Sequence, residues 1–249
     1  NQLQCEAYGY KYDKTLGVCY AFKYNSKVST LLNNKTNFIK GGEALVGTEN
    51  SLLNGEGNII KADNRNAFVT GQENEVEKGL SNTSVLGGKM GKAIRDGEIV
   101  LGGGSFGLGA GYTQCSKIQL NGSTTDATAT NLTVQGIVGS FITLQTNSLL
   151  GYELYITRLE TGGSSGTAGD FSYEVRRGAF RCDDSGSIDI YTFTTSTIAR
   201  VGAAPSFSIV DSTTGGIPSV TVQVTDRANV NNLWTATIYL HELRTNIAF

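Results

Sequence analysis

The chain has 249 residues, of which 32 are glycine and 2 proline; 17% are charged, for a formal net charge of −2. Glycine at nearly twice its usual ~7% excludes long helices, because each helical glycine costs ~1 kcal/mol. Near neutrality excludes the broad basic face that nucleic acid needs, and no apolar run reaches the ~18 residues of a membrane-spanning helix.

Residues 1–41 read as a tyrosine-rich attachment segment. Tyr8, Tyr10 and Tyr12 alternate, as do Tyr20, Phe22 and Tyr24, on either side of Asp13-Lys14-Thr15-Leu16-Gly17. Period-two spacing about a glycine-containing connection predicts a β-hairpin with an aromatic face. Such a stripe is packed core more often than a grip for sugar or a dock for a neighbouring protein. Cys5 and Cys19 lie near enough in sequence to bridge, yet a turn centred near Lys14 and Thr15 does not set them opposite each other. Both a disulfide and free thiols stay open for that pair. Cys115 and Cys182 read as buried free thiols, and no CxxC pair marks a zinc site. His241, the single histidine, removes most metal sites. No signal peptide or initiator methionine opens the chain, which reads as a processed product or a piece of a longer one.

Residues 42–105 carry a repeat. Asparagine recurs every eight residues at Asn50, Asn58, Asn66, Asn74 and Asn82. Three residues earlier stand Gly47, Gly55, Gly71 and Gly79, with Asp63 in the remaining place, and the series continues to Gly87 and Gly103. Two residues after the asparagines come Leu52, Ile60, Phe68 and Val76, until Ser84 breaks the apolar series. A repeat this short predicts a β-solenoid in which each unit buries its apolar side against the next, with those four side chains inward. Glycine permits the positive φ of a tight turn, asparagine tolerates the left-handed region, and stacked amides form ladders. Two octads make one coil of sixteen residues.

Units such as Ala44-Leu45-Val46-Gly47, Ala67-Phe68-Val69-Thr70-Gly71 and Ser84-Val85-Leu86-Gly87-Gly88 resemble the head of trimeric autotransporter adhesins, a left-handed β-roll. The resemblance implies three copies side by side, because one thin roll has little core of its own.

Gly102 to Gly111 reads as a turn or short linker, without the helix and Lys-Ser/Thr pair of a phosphate loop. Residues 106–249 then read as short strands near 116–120, 131–136, 138–145, 152–156, 170–181, 187–194, 206–210, 220–224 and 234–244. The turns between them carry Asn121-Gly122, Gly162-Gly163, Asp184-Ser185-Gly186 and Gly215-Gly216. Eight to ten strands predict an antiparallel β-sandwich of jelly-roll type, so the whole chain is expected to be all-β. Thr124-Thr125-Asp126-Ala127-Thr128-Ala129-Thr130 and the closing Trp234-Thr235-Ala236-Thr237-Ile238-Tyr239-Leu240-His241-Glu242-Leu243 look like the terminal domain of tailed-bacteriophage appendage proteins. A roll followed by a compact β tip is the plan of a phage fibre.

Little chemistry stands out. Asp183 and Asp184 beside Cys182 lack the ordered oxygens of a calcium site, and His241 has no Gly-x-Ser-x-Gly elbow to serve. A glycosidase needs two carboxyls in a groove; the candidates are Glu43, Glu49, Asp63, Glu73 and Glu75, on a roll too short to offer much groove. No enzyme activity, metal or cofactor is therefore expected. The reading is a homotrimeric phage fibre on the virion surface that touches other virion proteins and binds a host glycan or protein. Its expected contacts are tip loops carrying Asn121, Ser123, Ser164, Ser165, Thr213 and Thr214. A capsid decoration or head fibre and a small polysaccharide-cleaving tailspike are the alternatives. The Asn-x-Ser/Thr patterns at Asn34, Asn82, Asn121 and Asn131 are expected to stay unmodified.

Overall fold

The structure, a computed structural model, describes residues 37–249 except Thr214, together with Gln2, Cys5 and the backbone of residues 11–13 and 18–20. Strands β1 (Lys11–Asp13) and β2 (Val18–Tyr20) pair antiparallel with Tyr12 opposite Cys19; the expected turn between them lies outside the described residues. Tyr8, Tyr10, Phe22 and Tyr24 and all side chains of this hairpin lie outside the described residues. Cys5 is disulfide-bonded, which removes it from the free thiols. Cys115 and Cys182 are free, but only Cys182 is buried; Cys115 is exposed, against expectation.

A β-solenoid of about four turns follows. Its strands are β3 (Phe38–Ala44), β4 (Leu52–Ile60), β5 (Phe68–Gln72), β6 (Glu75–Val76), β7 (Ser84–Lys89), β8 (Lys92–Ala93) and β9 (Ile99–Gly103). All pair in parallel, and Leu52 to Phe68, Ile60 to Val76 and Phe68 to Ser84 each step by one coil. Two interior columns run through the coils. Leu53, Val69, Val85 and Val100 form one; Ala44, Ile60, Val76 and Ala93 form the other. Fully burying one Val, Leu or Ile side chain is worth about 1.5–3 kcal/mol, so these columns are what holds each coil on the next.

The inward series expected from the sequence is half right. Ile60 and Val76 point inward, but Leu52 is only half-buried and Phe68 is 39% exposed, while Leu53 and Val69 beside them fill the core. The reason lies in the backbone. Asn50, Asn66 and Asn82 adopt φ near +55° themselves, whereas at Asn58 and Asn74 the left-handed residue is the preceding Gly57 or Glu73. That one-residue offset inverts which neighbour faces inward.

The remaining strands are β10 (Thr113–Thr124), β11 (Thr130–Asn131), β12 (Thr133–Val134), β13 (Ile142–Thr143), β14 (Ser148–Gly162), β15 (Phe171–Cys182), β16 (Ile188–Val201), β17 (Ser206–Asp211), β18 (Ser219–Thr225) and β19 (Asn231–Arg244). The order β16-β15-β14-β19-β10 forms an antiparallel sheet, and β10 pairs back on β9, so the solenoid and this sheet are one hydrogen-bonded surface. The glycine-rich segment after Gly103 is therefore a hairpin connection and not a free linker. A second sheet, with β18 central to β11, β13 and β17, shares one core with the first; Ile118, Leu154, Phe180, Val222, Trp234 and Ile238 meet there. Asn121-Gly122 is no turn: both lie inside β10 opposite Thr235 and Trp234. Gly122 is needed there for space, since a Cβ would come within 2.8 Å of Leu132 Cδ2.

Candidate functional site

Three tyrosines converge on the outer face of the large sheet. Tyr155 on β14, Tyr239 on β19 and Tyr173 on β15 alternate with the buried Leu154, Ile156, Leu240 and Ser172, so strand pleating alone turns them away from the core. Tyr155 packs edge-on to Tyr239 at 6.0 Å between ring centroids and stacks on Tyr173 at 6.3 Å. Lys117 Nζ stands 5.6 Å above the Tyr239 ring. Glu153 accepts a hydrogen bond from the Tyr155 hydroxyl at 3.2 Å and pairs with Arg177 at 3.1 Å. Thr157, Thr235 and Thr237 add hydroxyls, and Cys115 Sγ sits 3.5 Å from His241 Nδ1 at one end. All of these but Arg177 line an open recess of about 540 Å³. Aromatic faces ringed by hydroxyls, with the Glu153 carboxylate and the Lys117 ammonium, can stack on the apolar face of a sugar while bonding its hydroxyls.

The residues singled out in the sequence fall elsewhere. Asn121 and Ser123 are strand residues near the end of β10, and Ser164 and Ser165 lie exposed in the β14–β15 loop at that same end, where Gly162 meets Asn231. Thr213 belongs to the β17–β18 connection at the opposite end, where Pro218 abuts Gly186 and accepts from Leu144 N–H; Thr214 lies outside the described residues. Ile217 of that connection lines a recess with Leu80 and Ile94 of the solenoid, so this loop faces the roll. The expected contact loops thus do not form one surface.

The repeat residues divide into two structural classes. Asn58 and Asn74 are buried: Asn58 Oδ1 accepts from Asn74 N–H at 2.9 Å, and Asn74 Oδ1 accepts from Gly91 N–H at 2.7 Å. Asn50, Asn66 and Asn82 are exposed, with Asn66 Nδ2 donating to Asn82 Oδ1 at 2.9 Å. Asn82 Nδ2 donates onward to Gln135 Oε1 at 3.0 Å, so an amide from outside the roll extends the ladder. Gly47, Gly55, Gly71, Gly79 and Gly87 all have positive φ, and Asp63 keeps φ 62° in the glycine's place. At Gly55 a Cβ would lie 2.0 Å from Gly71 O of the next coil, so coil stacking requires glycine there as well as turn geometry.

The roll carboxylates considered for hydrolysis are mostly paired with cations. Lys61 and Lys92 each bridge Glu75 and Glu77; Glu73 faces Lys89, Asp63 faces Lys78 and Glu49 faces Arg65. Partial burial opposes ionisation at Glu75 and Glu77, but hydrogen bonds from Lys61 and Lys92 prevail, with Glu77 held down to about 2. A carboxyl so easily ionised is unsuited to donating a proton near neutrality. Asp183 Oδ1 accepts from the N–H groups of Ser185 and Ser187, a turn role, and no group of three metal-ligating side chains occurs among the described residues. Sequence reasoning missed the tyrosine recess because its members sit on four strands; only the outward alternation at Tyr155 hinted at it.

No protein-family model and no curated protein matches the sequence. Among solved structures, the tailspike protein of Acinetobacter baumannii phage AM24 is similar at TM-score 0.32 and 8% identity, over 85% of this chain and 50% of that one. A tailspike protein from Acinetobacter baumannii bacteriophage Fri1, named as a capsular polysaccharide depolymerase, is similar at TM-score 0.28 and 8% identity, over 86% and 50%. The chain spans about half the length of these proteins. That second name corrects one expectation: the exclusion of enzyme activity, drawn from the shortness of the roll, does not stand.

Proposed function

We propose that this chain is part of a bacteriophage tail appendage on the virion surface and engages a host-surface polysaccharide on the face of Tyr155, Tyr173 and Tyr239. The observation that carries the reading is the recess itself: three outward aromatic rings, threonine hydroxyls and the Glu153 carboxylate on one sheet floor. A solenoid joined to a β unit through one continuous sheet is consistent with a fibre-like part, and outward Phe38, Leu86 and Leu101 on the roll favour a homotrimer, whose three copies would raise avidity. Cleavage of the same polysaccharide is the second reading, on the observation that Glu153, on the wall of the recess, accepts from the Tyr155 hydroxyl and pairs on its other side with Arg177.

A panel of bacterial surface polysaccharides tests both. Binding is measured by calorimetry, and new reducing ends or unsaturated ends are followed on the same samples. Tyr155→Ala should weaken binding at least tenfold, and Glu153→Gln should abolish cleavage if the second reading holds. Parent-like affinity in Tyr155→Ala would place the glycan elsewhere.

A further inference from the structure

Strand β16 departs from every rule the other long strands obey. β14 alternates buried and outward residues as a strand over a core must, but β16 is exposed on both faces for eleven consecutive residues, 191–201. One edge pairs with β15 along its length; the other pairs with no strand among the described residues. Edges that stay solitary are usually short or guarded by lysine or proline. This one runs fourteen residues, has no proline, and from residue 190 onward carries a single charge, Arg200.

Its register supplies the sharper observation. Ala199 pairs with Tyr173 and Thr197 with Glu174, which leaves Ile198 extra; Thr194 pairs with Arg177 and Thr192 with Gly178, which leaves Phe193 extra. Each bulge therefore throws out one large apolar side chain, Phe193 at 82% exposure and Ile198 at 57%. Bulges re-aim side chains and spoil an edge for simple strand addition. Two bulges placed at the two most apolar residues of the exposed stretch make knobs.

We propose that β16 is the surface through which copies of this chain assemble, with Phe193 and Ile198 inserted into a second copy. The inference rests on the trimeric reading above and supplies the contact for it. A second copy is the occupant because the chain itself presents the apolar complement. Val201, Phe171, Leu159 and Leu233 stand side by side on successive strands, and the last two and Val201 are about half exposed. A net charge of only −2 gives copies little reason to repel. Eleven residues at ~3.3 Å each span roughly 36 Å, enough to anchor an interface of the usual ~800 Å² per partner. An edge strand meeting such a patch on its neighbour makes a head-to-tail contact, the kind that yields a three-membered ring when each step turns by a third of a circle.

Light scattering after size exclusion, on the parent and on Phe193→Asp/Ile198→Asp, tests this. A trimeric parent and a monomeric variant with unchanged circular dichroism support the proposal. A trimeric parent with a trimeric variant overturns it while leaving the trimeric reading in place; a monomeric parent overturns both, including when β16 captures another virion protein instead. Hydroxyl-radical footprinting of the unmodified parent guards against a variant that fails to fold. Phe193 should be oxidised at least fivefold less than Phe106, which is 74% exposed in the glycine-rich connection. Equal oxidation would overturn the assignment.

Discussion

Replacing Asn74 by alanine strips three hydrogen bonds from the interior of the roll. Its Nδ2 donates to Thr70 O at 2.8 Å and Gly88 O at 3.3 Å, and its Oδ1 accepts from Gly91 N–H at 2.7 Å. The side chain is 1% exposed, so water does not replace these partners. A buried polar group left unpaired costs about 1–3 kcal/mol, and three such losses, partly compensated, come to about 3–5 kcal/mol. For a chain of this size each kcal/mol moves Tm by ~2–4 °C, so Asn74→Ala should melt roughly 6–20 °C below the parent. The control is Asn66→Gly. Asn66 has φ 55°, which glycine adopts freely, and its bond to Asn82 is exposed; the loss is about 1 kcal/mol and the shift under ~4 °C. Calorimetry or far-ultraviolet circular dichroism reads both. Equal shifts in the two variants would refute the division of one asparagine repeat into buried and exposed ladders.

Two further outcomes follow from the same packing. Val69→Asp should prevent the roll from folding, because an unpaired carboxylate in a dry interior costs several kcal/mol; Phe68→Asp, one residue away and outward, should leave a folded chain by circular dichroism, and the reverse order would return Phe68 to the core. Acid should weaken the roll through Glu75 and Glu77. Their pKa values lie below the ordinary 4.5, so their stabilising effect is complete above that pH and is lost as pH falls from about 4.5 toward 2. Lys61, raised above its ordinary value chiefly by the hydrogen bond it donates to Glu75, stays charged throughout that window. Tm measured against pH should therefore decline less steeply below pH 4.5 in Lys61→Met than in the parent, and parallel profiles would count against the cluster.

Composition and periodicity alone determined much of the architecture. Abundant glycine with alternating Val, Thr and Tyr dictates strands, and each of the nine positions read in residues 106–249 overlaps an observed strand; but β10, β14 and β16 run well past the expected bounds, 131–136 is split in two, and 138–145 keeps only Ile142–Thr143. Those signals are local: pleating and positive φ depend on a residue and its nearest neighbours. Tertiary structure decided everything that depends on what lies alongside. Asn58 and Asn66 are the same residue eight positions apart, yet only the coil above and below makes one a buried bridge and the other an exposed ladder rung. Asn121-Gly122 spells a turn, but β19 and Leu132 hold it in a strand. Tyr155, Tyr173 and Tyr239 became one surface because β14 lies between β15 and β19, and strand order is set by burial across the whole chain, which no short window of sequence contains.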